Sequence, residues 1–436
     1  MKPTTFVKIN STSFFISTIA FIILNGVLDN AAYVGILSLF ISFTLISTYE
    51  IHCKKIVTRA TTGISNNTVN FDYKRVLTKL YGLYAKLIII WSLYWQLLSM
   101  APARFNEFLS FLTPAFAFTA IFAIPYVLFV DSRMIDPYDG YWHFGRLLLG
   151  HLKDKSFQKI RNHLLGWSIK AFYLPIMVSG YFYTCNYLST SLEKVNSLYF
   201  LDILPLLFTI ILFIDLQVAV LGYVCTFRIL DAHIRSCNPI FFGWIVTLIC
   251  YYPFWGLIYP NLVSYNNGEN WNFWFAQNPF LLNLWGLMLL GAKCTWLWAN
   301  MTFGLRFSNL THRGILTTGP FRYTKHPSYL SKNIFYWLSS LPFLSSKSLD
   351  EAIINSLALL SINFIYYCRA KAEERHLMED PQYVCYNEWI KKNGIIGMGK
   401  ERLKRFFNTD ETEIALLALR NVKEKELAER QGFKHR

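Results

Sequence analysis

Apolar runs of about 20 residues recur from one end of this sequence to the other. A helix of that length spans the hydrocarbon core of a bilayer, and backbone in that environment must satisfy its own hydrogen bonds. The chain is therefore expected to be all-α, a polytopic transmembrane bundle of about ten spans with a short soluble C-terminal tail. Composition agrees: 53% of residues are hydrophobic and 16% charged, where a soluble domain carries about 25% charged residues.

The spans read as Ser13–Leu28, Ala31–Thr48, Leu80–Leu98, Leu109–Val130, Leu165–Tyr187, Tyr199–Val224, Ile240–Tyr259, Phe280–Met301, Tyr329–Leu344 and Ala352–Cys368. Short turns at Asp29–Asn30 and Ser345–Asp350 make hairpins of the first and the last pairs. Connections after odd-numbered spans contain only Arg104, Lys194 and Lys347 as basic residues. Nearly all other Lys and Arg lie in the termini or the even-numbered connections. That asymmetry is the positive-inside rule, and it places both termini in the cytoplasm of an integral membrane protein. The membrane would be the inner membrane in a bacterial cell or the endoplasmic reticulum in a eukaryotic one. The N-terminus lacks a small-x-small cleavage site and does not read as a cleaved signal peptide. A net charge of +15 is explained by this placement, and no segment resembles a nucleic-acid-reading module, so no nucleic-acid partner is expected. The eight cysteines show no CxxC or Cys/His spacing, and no metal site is expected. The last residues include Glu411–Glu429, an amphipathic helix pattern with Ile414, Leu417 and Leu419 apolar, suited to packing on the cytoplasmic face or lying on lipid.

Two stretches carry chemistry. The first joins spans eight and nine: Thr318-Gly319-Pro320-Phe321-Arg322-Tyr323-Thr324-Lys325-His326-Pro327-Ser328-Tyr329-Leu330. Gly319-Pro320 breaks the backbone, and Pro327 suits the first turn of the next helix, where its missing N–H is no loss. The unpaired N–H groups of that helix start then face a basic, aromatic loop, which suits a carboxylate or phosphate; the plainer reading is a Pro-initiated interfacial turn. The second stretch follows span ten: Arg369, Glu373, Glu374, Arg375, His376, Leu377, Tyr383 and Tyr386. Arg369 and Glu373 share a helix face and are placed to pair; the plainer reading is a solvated helix end with surface ion pairs. Since spans nine and ten form a hairpin, both stretches emerge on one side and are placed to enclose one site.

Together these residues resemble a known family. The run from Gly319 to Tyr329 is similar to the G-P-[YF]…[RK]-H-P-x-Y signature of the isoprenylcysteine carboxyl methyltransferase (ICMT)-like membrane methyltransferases. Arg369…Glu373-Glu374…Leu377…Tyr383…Tyr386 resembles that family's R-x-x-x-E-E-x-x-L…Y-x-x-Y element. The resemblance covers about Leu281–Lys392. It implies an S-adenosyl-L-methionine-dependent methyltransferase acting at the cytoplasmic membrane face on a lipophilic or lipidated acceptor drawn from the membrane lipids. By the same resemblance, Tyr323, His326, Pro327, Tyr329, Glu373, Glu374, Leu377, Tyr383 and Tyr386 would line the cofactor site. Ser331 stands where the family often has Gly, and Trp389–Gly394 replaces its Arg-containing segment. The chain then divides into residues 1–239, an N-terminal transmembrane region of about six helices; 240–392, the methyltransferase-like region; and 393–436, a cytoplasmic tail. For a carboxylate acceptor no general base is needed, and Arg322 or Arg369 would orient the acid. An amine or thiol acceptor would need His326 to accept a proton. The acceptor stays open.

Other polar residues do not belong to that pattern. Asp131 and Asp136–Gly145 form an acidic, aromatic cluster in the fourth connection, readable as a second wall of the site or as an interfacial turn. Asp215 and Gln217 lie inside span six, Lys86 in span three and Lys293 in span eight. A mid-bilayer charge costs about 2.5–3.5 kcal/mol on insertion scales, so Asp215 is expected to have a function or a partner such as Lys86 or Lys293. Asp231, His233 and Arg235 read as a solvated turn. Two other classes compete: a sterol-type reductase using NADPH, whose Tyr- and Pro-rich ending is missing from Trp389–Lys400, and a transporter or scaffold, favoured if Asp215, Lys86 and Lys293 share a polar path.

Overall fold

The computed structural model describes residues 4–399 apart from 70, 152–155, 196, 198, 263–268 and 396. The Glu411–Glu429 pattern and most of the tail lie outside the described residues. Among those described, the chain forms fourteen α-helices and one two-stranded antiparallel ladder. Seven helices are long and apolar enough to cross a membrane: α1 (Val7–Asn25), α2 (Ala31–Thr48, continuing to Cys53), α3 (Tyr73–Leu98), α4 (Pro102–Asp131), α7 (Phe200–Val224), α11 (Pro279–Met301) and α13 (Leu349–Leu377). The protein is a helical membrane bundle.

The other three expected spans are helical but differ in form. The fifth lies within α6 (Phe157–Glu193), a 37-residue helix whose apolar stretch is diluted by Lys170, Pro175 and Asn186. The seventh is split into α8 (Phe241–Leu248) and α9 (Phe254–Leu262), because Pro253 has no N–H to continue the ladder. The ninth is α12 (Pro327–Ser340), whose 14 residues rise only about 21 Å, short of a hydrocarbon core of about 30 Å. It stops where Leu341 turns left-handed and Pro342 follows. Three short helices, α5 (Gly140–Leu148), α10 (Trp271–Phe275) and α14 (Pro381–Asn393), complete the set.

Small and polar side chains join the long helices. At the α1–α2–α7 seam, Ser42 Oγ donates to Ser17 Oγ (2.7 Å), and Gln217 Nε2 donates to Ser38 Oγ (2.7 Å). Ser17 Oγ in turn meets Gln217 Oε1 at 3.0 Å. This is how membrane helices associate when no hydrophobic force acts between them, and it accounts for Gln217 within a span. The α3–α5 contact depends on Gly145, where an added Cβ would fall 2.1 Å from Thr78 O.

One end of the bundle is tied by buried charge. Glu50, at the end of α2, meets Arg306 at 2.8 Å, both side chains almost fully enclosed. Arg306 also donates to Leu230 O and Asp231 O. Arg313 donates to the carbonyls of Gly222, Cys225, Leu305, Phe307 and Ala232, fastening the end of α7 to the chain leaving α11. Strand β1 (Ser236–Cys237) pairs with β2 (Thr311–His312) and joins the same two segments. The expected solvated turn is thus mostly interior: Asp231 is 1% exposed and bonds Arg235 and Thr61. Its hydrophobic neighbours Leu230 and Ala232 are buried with it.

Candidate active site

The N-terminus of α12 and the C-terminal half of α13 meet at a cleft at this tied end of the bundle. Pro327 occupies the first turn of α12, and no side chain caps that helix start. Before it, Gly319 takes a left-handed backbone (φ 61°) beside Thr302 Oγ1, a place where a Cβ would meet that oxygen at 2.9 Å. The loop can therefore fold closely over the end of α11. Helix α13 runs unbroken through Arg369 to Leu377, which extends the spanning helix into the site.

His326, Pro327, Ser328 and Tyr329 line the cleft from α12; Arg369, Glu373, His376 and Leu377 line it from α13. Its empty space is about 840 Å³, counting the part open to solvent. The Tyr329 hydroxyl donates to Glu373 Oε2 at 3.0 Å. His326 Nε2 lies 3.1 Å from Glu374 Oε1, and its ring stacks on Tyr329 with centroids 5.4 Å apart. Glu374 also meets Lys371 at 3.1 Å and Lys325 at 3.6 Å.

Arg369 does not pair with Glu373 as the helix spacing suggested. It is buried, donates to Asn309 Oδ1 at 2.5 Å, and lies over the Tyr329 ring at 5.0 Å. Asn309 is oriented for this by its amide, whose nitrogen donates to the hydroxyls of Tyr223 (2.8 Å) and Tyr251 (3.1 Å). Among the described residues no carboxylate lies within ion-pair distance of Arg369, so the cleft presents a buried cation held by neutral groups.

The remaining site candidates lie elsewhere. Tyr383 and Tyr386 pack from α14 against Ile315, Ile390 and Leu377 rather than lining the cleft. The Tyr386 hydroxyl donates to Phe321 O at 2.7 Å, which holds the loop before α12. Burial pushes both phenols up from their usual range. Tyr323 is exposed, and its carbonyl accepts from Ile395 N–H. Arg322 faces a separate groove with Val7, Tyr49 and Trp389. Glu374 stands behind His326 rather than on the cleft lining.

Several lining residues carry no motif in the sequence, among them Tyr251, Asn300, Asn309 and Lys332. Lys332 lies one turn beyond Ser328 on α12 and covers the Trp296 ring at 4.2 Å. Its only sequence signal is being a lysine inside an expected span. Asp215 is held by Asn300, whose Nδ2 donates at 2.5 Å. Neither Lys86 nor Lys293 forms an ion pair with it. Lys86 instead adjoins His163 inside an aromatic enclosure of Tyr141, Phe144 and Trp167. Lys86 therefore lies apart from Asp215, while Lys293 and Lys332 are near enough to attract it without pairing. The Asp136–Gly145 segment borders a second cavity, not this cleft.

Residues 285–379 match the isoprenylcysteine carboxyl methyltransferase (ICMT) family. The matched segment runs from within α11 through α12 to the end of α13, and this part of the chain is similar to that membrane methyltransferase family. It contains every cleft residue contributed by α12 and α13 and ends before Tyr383. It covers less than a quarter of the chain. No curated protein and no solved structure matches the chain.

Proposed function

We propose that this protein is an S-adenosyl-L-methionine-dependent methyltransferase that esterifies the carboxylate of a lipophilic acceptor, of isoprenylcysteine or other lipid type, at the cytoplasmic face of its membrane. The observation that carries this is the meeting, inside the family-matched segment, of Tyr329 with Glu373 and of His326 with Glu374, beside the buried Arg369.

The residues fit that cofactor. Glu373 offers a carboxylate to amino or hydroxyl donors, with its orientation set by Tyr329. The uncapped start of α12 offers N–H groups to an anion. Stacked rings of His326 and Tyr329 present π-faces to a sulfonium. S-adenosylmethionine, when bound, supplies an electrophilic methyl group on that sulfonium.

The chain's own task is alignment and charge. Arg369 is the group placed to hold an acceptor carboxylate, since neutral partners alone compensate it now. Holding two reactants in line contributes up to about 7–11 kcal/mol in ideal intramolecular cases. Tyr251, Phe303 and Phe307 make part of the lining apolar and limit water; a dry site favours a reaction in which opposite charges cancel. A carboxylate has no proton to lose, so His326 serves here as a partner of Glu374 and not as a base. The asymmetry of Lys and Arg supports a cytoplasmic cleft and cytoplasmic termini. The apolar lengths of α11 and α13 support delivery of the acceptor from the bilayer.

Purified full-length protein should bind tritiated S-adenosylmethionine saturably and transfer its methyl group to farnesylated or other lipophilic carboxylic acids in base-labile form. Saturable NADPH binding with no S-adenosylmethionine binding would overturn the proposal in favour of a reductase.

A further inference from the structure

A second cavity, of about 1810 Å³ counting its open part, lies among the ends of α3, α4 and α6 and the segment after α7. It borders the same tied end of the bundle: Ile234 and Arg235 line it, while Asn238, three residues on, lines the methyltransferase cleft. It belongs wholly to the part of the chain outside the family match.

Its charges do not balance. Three carboxylates line it, and each is already answered. Asp131 meets Arg75 at 2.8 Å and Lys79 at 2.7 Å. Asp139 meets Lys79 at 3.4 Å, and Asp136 meets Lys159 at 2.9 Å. Arg235 shares the nearby Asp231 with Arg59. Among the described residues, two lining cations have neutral partners only. Lys170 donates to Thr226 Oγ1 at 2.9 Å, and Arg228 donates to Thr62 O at 3.0 Å. Beside them, His233 Nδ1 is buried without a hydrogen-bond partner among the described residues. Burial and the neighbouring Arg228 and Arg235 hold that imidazole neutral, with its pKa lowered to about 3. A buried polar atom and two uncompensated cations around one space are features that an anion would complete.

Another part of the lining is apolar. Leu83 lines it from α3, and Ala123 and Val127 line it from α4. Both helices are candidate membrane spans, so this part of the lining belongs to elements that lipid surrounds. A cavity lined by both cations and apolar side chains suits an anionic amphiphile better than a small soluble anion.

We propose that this cavity binds the phosphate headgroup of an anionic lipid at Lys170 and Arg228, with its chain along the α3–α4 wall. The site is separate from the methyltransferase cleft and its occupancy does not depend on methyl transfer. The test is native mass spectrometry of the full chain in dodecyl maltoside with dioleoyl-phosphatidylglycerol, dioleoyl-phosphatidylcholine or inorganic pyrophosphate added. Phosphatidylglycerol should be retained about tenfold more than phosphatidylcholine, which carries no net charge. Lys170→Gln and Arg228→Gln, made separately and checked for unchanged elution and helical circular dichroism, should each lower that retention about tenfold. Equal retention of the two lipids overturns the proposal, and this arm needs no variant. Wild-type retention in either folded variant also overturns it. Binding of pyrophosphate with no preference for phosphatidylglycerol would assign the cations to a soluble phosphate and overturn the lipid reading.

Discussion

Tyr329 and Glu373 come from opposite sides of one helical hairpin and meet through a 3.0 Å hydrogen bond, with the phenol donating to Glu373 Oε2. The bond fixes the carboxylate at the rim of the cleft. A hydrogen bond to a charged group contributes about 1.5–3 kcal/mol. Glu373→Gln and Tyr329→Phe should each weaken S-adenosylmethionine binding about 10- to 100-fold in an equilibrium assay. Because the two act through one contact, the double variant should fall well short of the sum. Strict additivity would show that the contact does not serve the cofactor.

Arg369 should separate acceptor from cofactor. Arg369→Lys keeps the charge but loses the planar fork that meets a carboxylate in two places. Its kcat/KM for a lipophilic acid should drop about 100-fold, a loss of about 2.7 kcal/mol, with S-adenosylmethionine affinity near wild type. Loss of cofactor affinity with an unchanged acceptor KM would reassign Arg369 to the cofactor.

The hairpin that brings these residues together was legible because apolar length and motif order are both written in the chain. Boundaries and partners were less so. Helix α12 stops early because of Pro342, and span seven breaks at Pro253, so a hydropathy window wide enough to find spans smooths both over. Arg369 and Glu373 share a helical spacing, yet Asn309, from a loop 60 residues upstream, takes the arginine. No local pattern encodes that choice, since it depends on two tyrosines, Tyr223 and Tyr251, turning the amide. Likewise Asp231–Arg235 reads as a polar turn until Arg59 and the carbonyl-binding Arg306 and Arg313 close around it. Polar residues at a membrane edge look alike in sequence whether they face water or each other.

The buried Glu50–Arg306 pair supports the loop that leads into the site. Removing one partner leaves the other charge enclosed, which costs about 3–5 kcal/mol. Glu50→Ala should lower the Tm in detergent by several degrees and reduce the yield of folded protein. A Tm equal to wild type would mean that water reaches Arg306 and the pair is not closed.

His312 gives the folded state an acid sensitivity. It is 7% exposed, and its Nε2 lies 3.2 Å from Asp380 Oδ2 but without hydrogen-bond alignment. Burial outweighs the attraction of Asp380 and lowers the imidazole to about 4, against about 6.5 when unfolded. Between those values the unfolded chain binds the proton and the folded chain does not, so stability falls as pH drops through about 6.5 toward about 4. His233, lowered to about 3, acts in the same direction. A Tm series should decline over that window, and His312→Gln should flatten part of the decline. An unchanged slope in the variant would place the acid sensitivity elsewhere.

The orientation of the bundle can be tested from two exposed positions at opposite ends of α13. Lys347 lies in the exposed turn before this helix, and Cys385 is exposed on α14 beyond its other end. The charge rule places the first outside and the second in the cytoplasm. The two sites are separated by one spanning helix, so a single inversion would exchange their labelling. With the chain expressed in a bacterial inner membrane, a membrane-impermeant maleimide should label Lys347→Cys in right-side-out vesicles, whose outer surface is the non-cytoplasmic face, in a background without the native cysteines. Cys385, kept as the sole cysteine, should react only after the membrane is opened. The reverse pattern would turn the cleft away from the cytoplasm and remove its access to a cytoplasmic cofactor, while leaving the geometry of Tyr329 and Glu373 untouched.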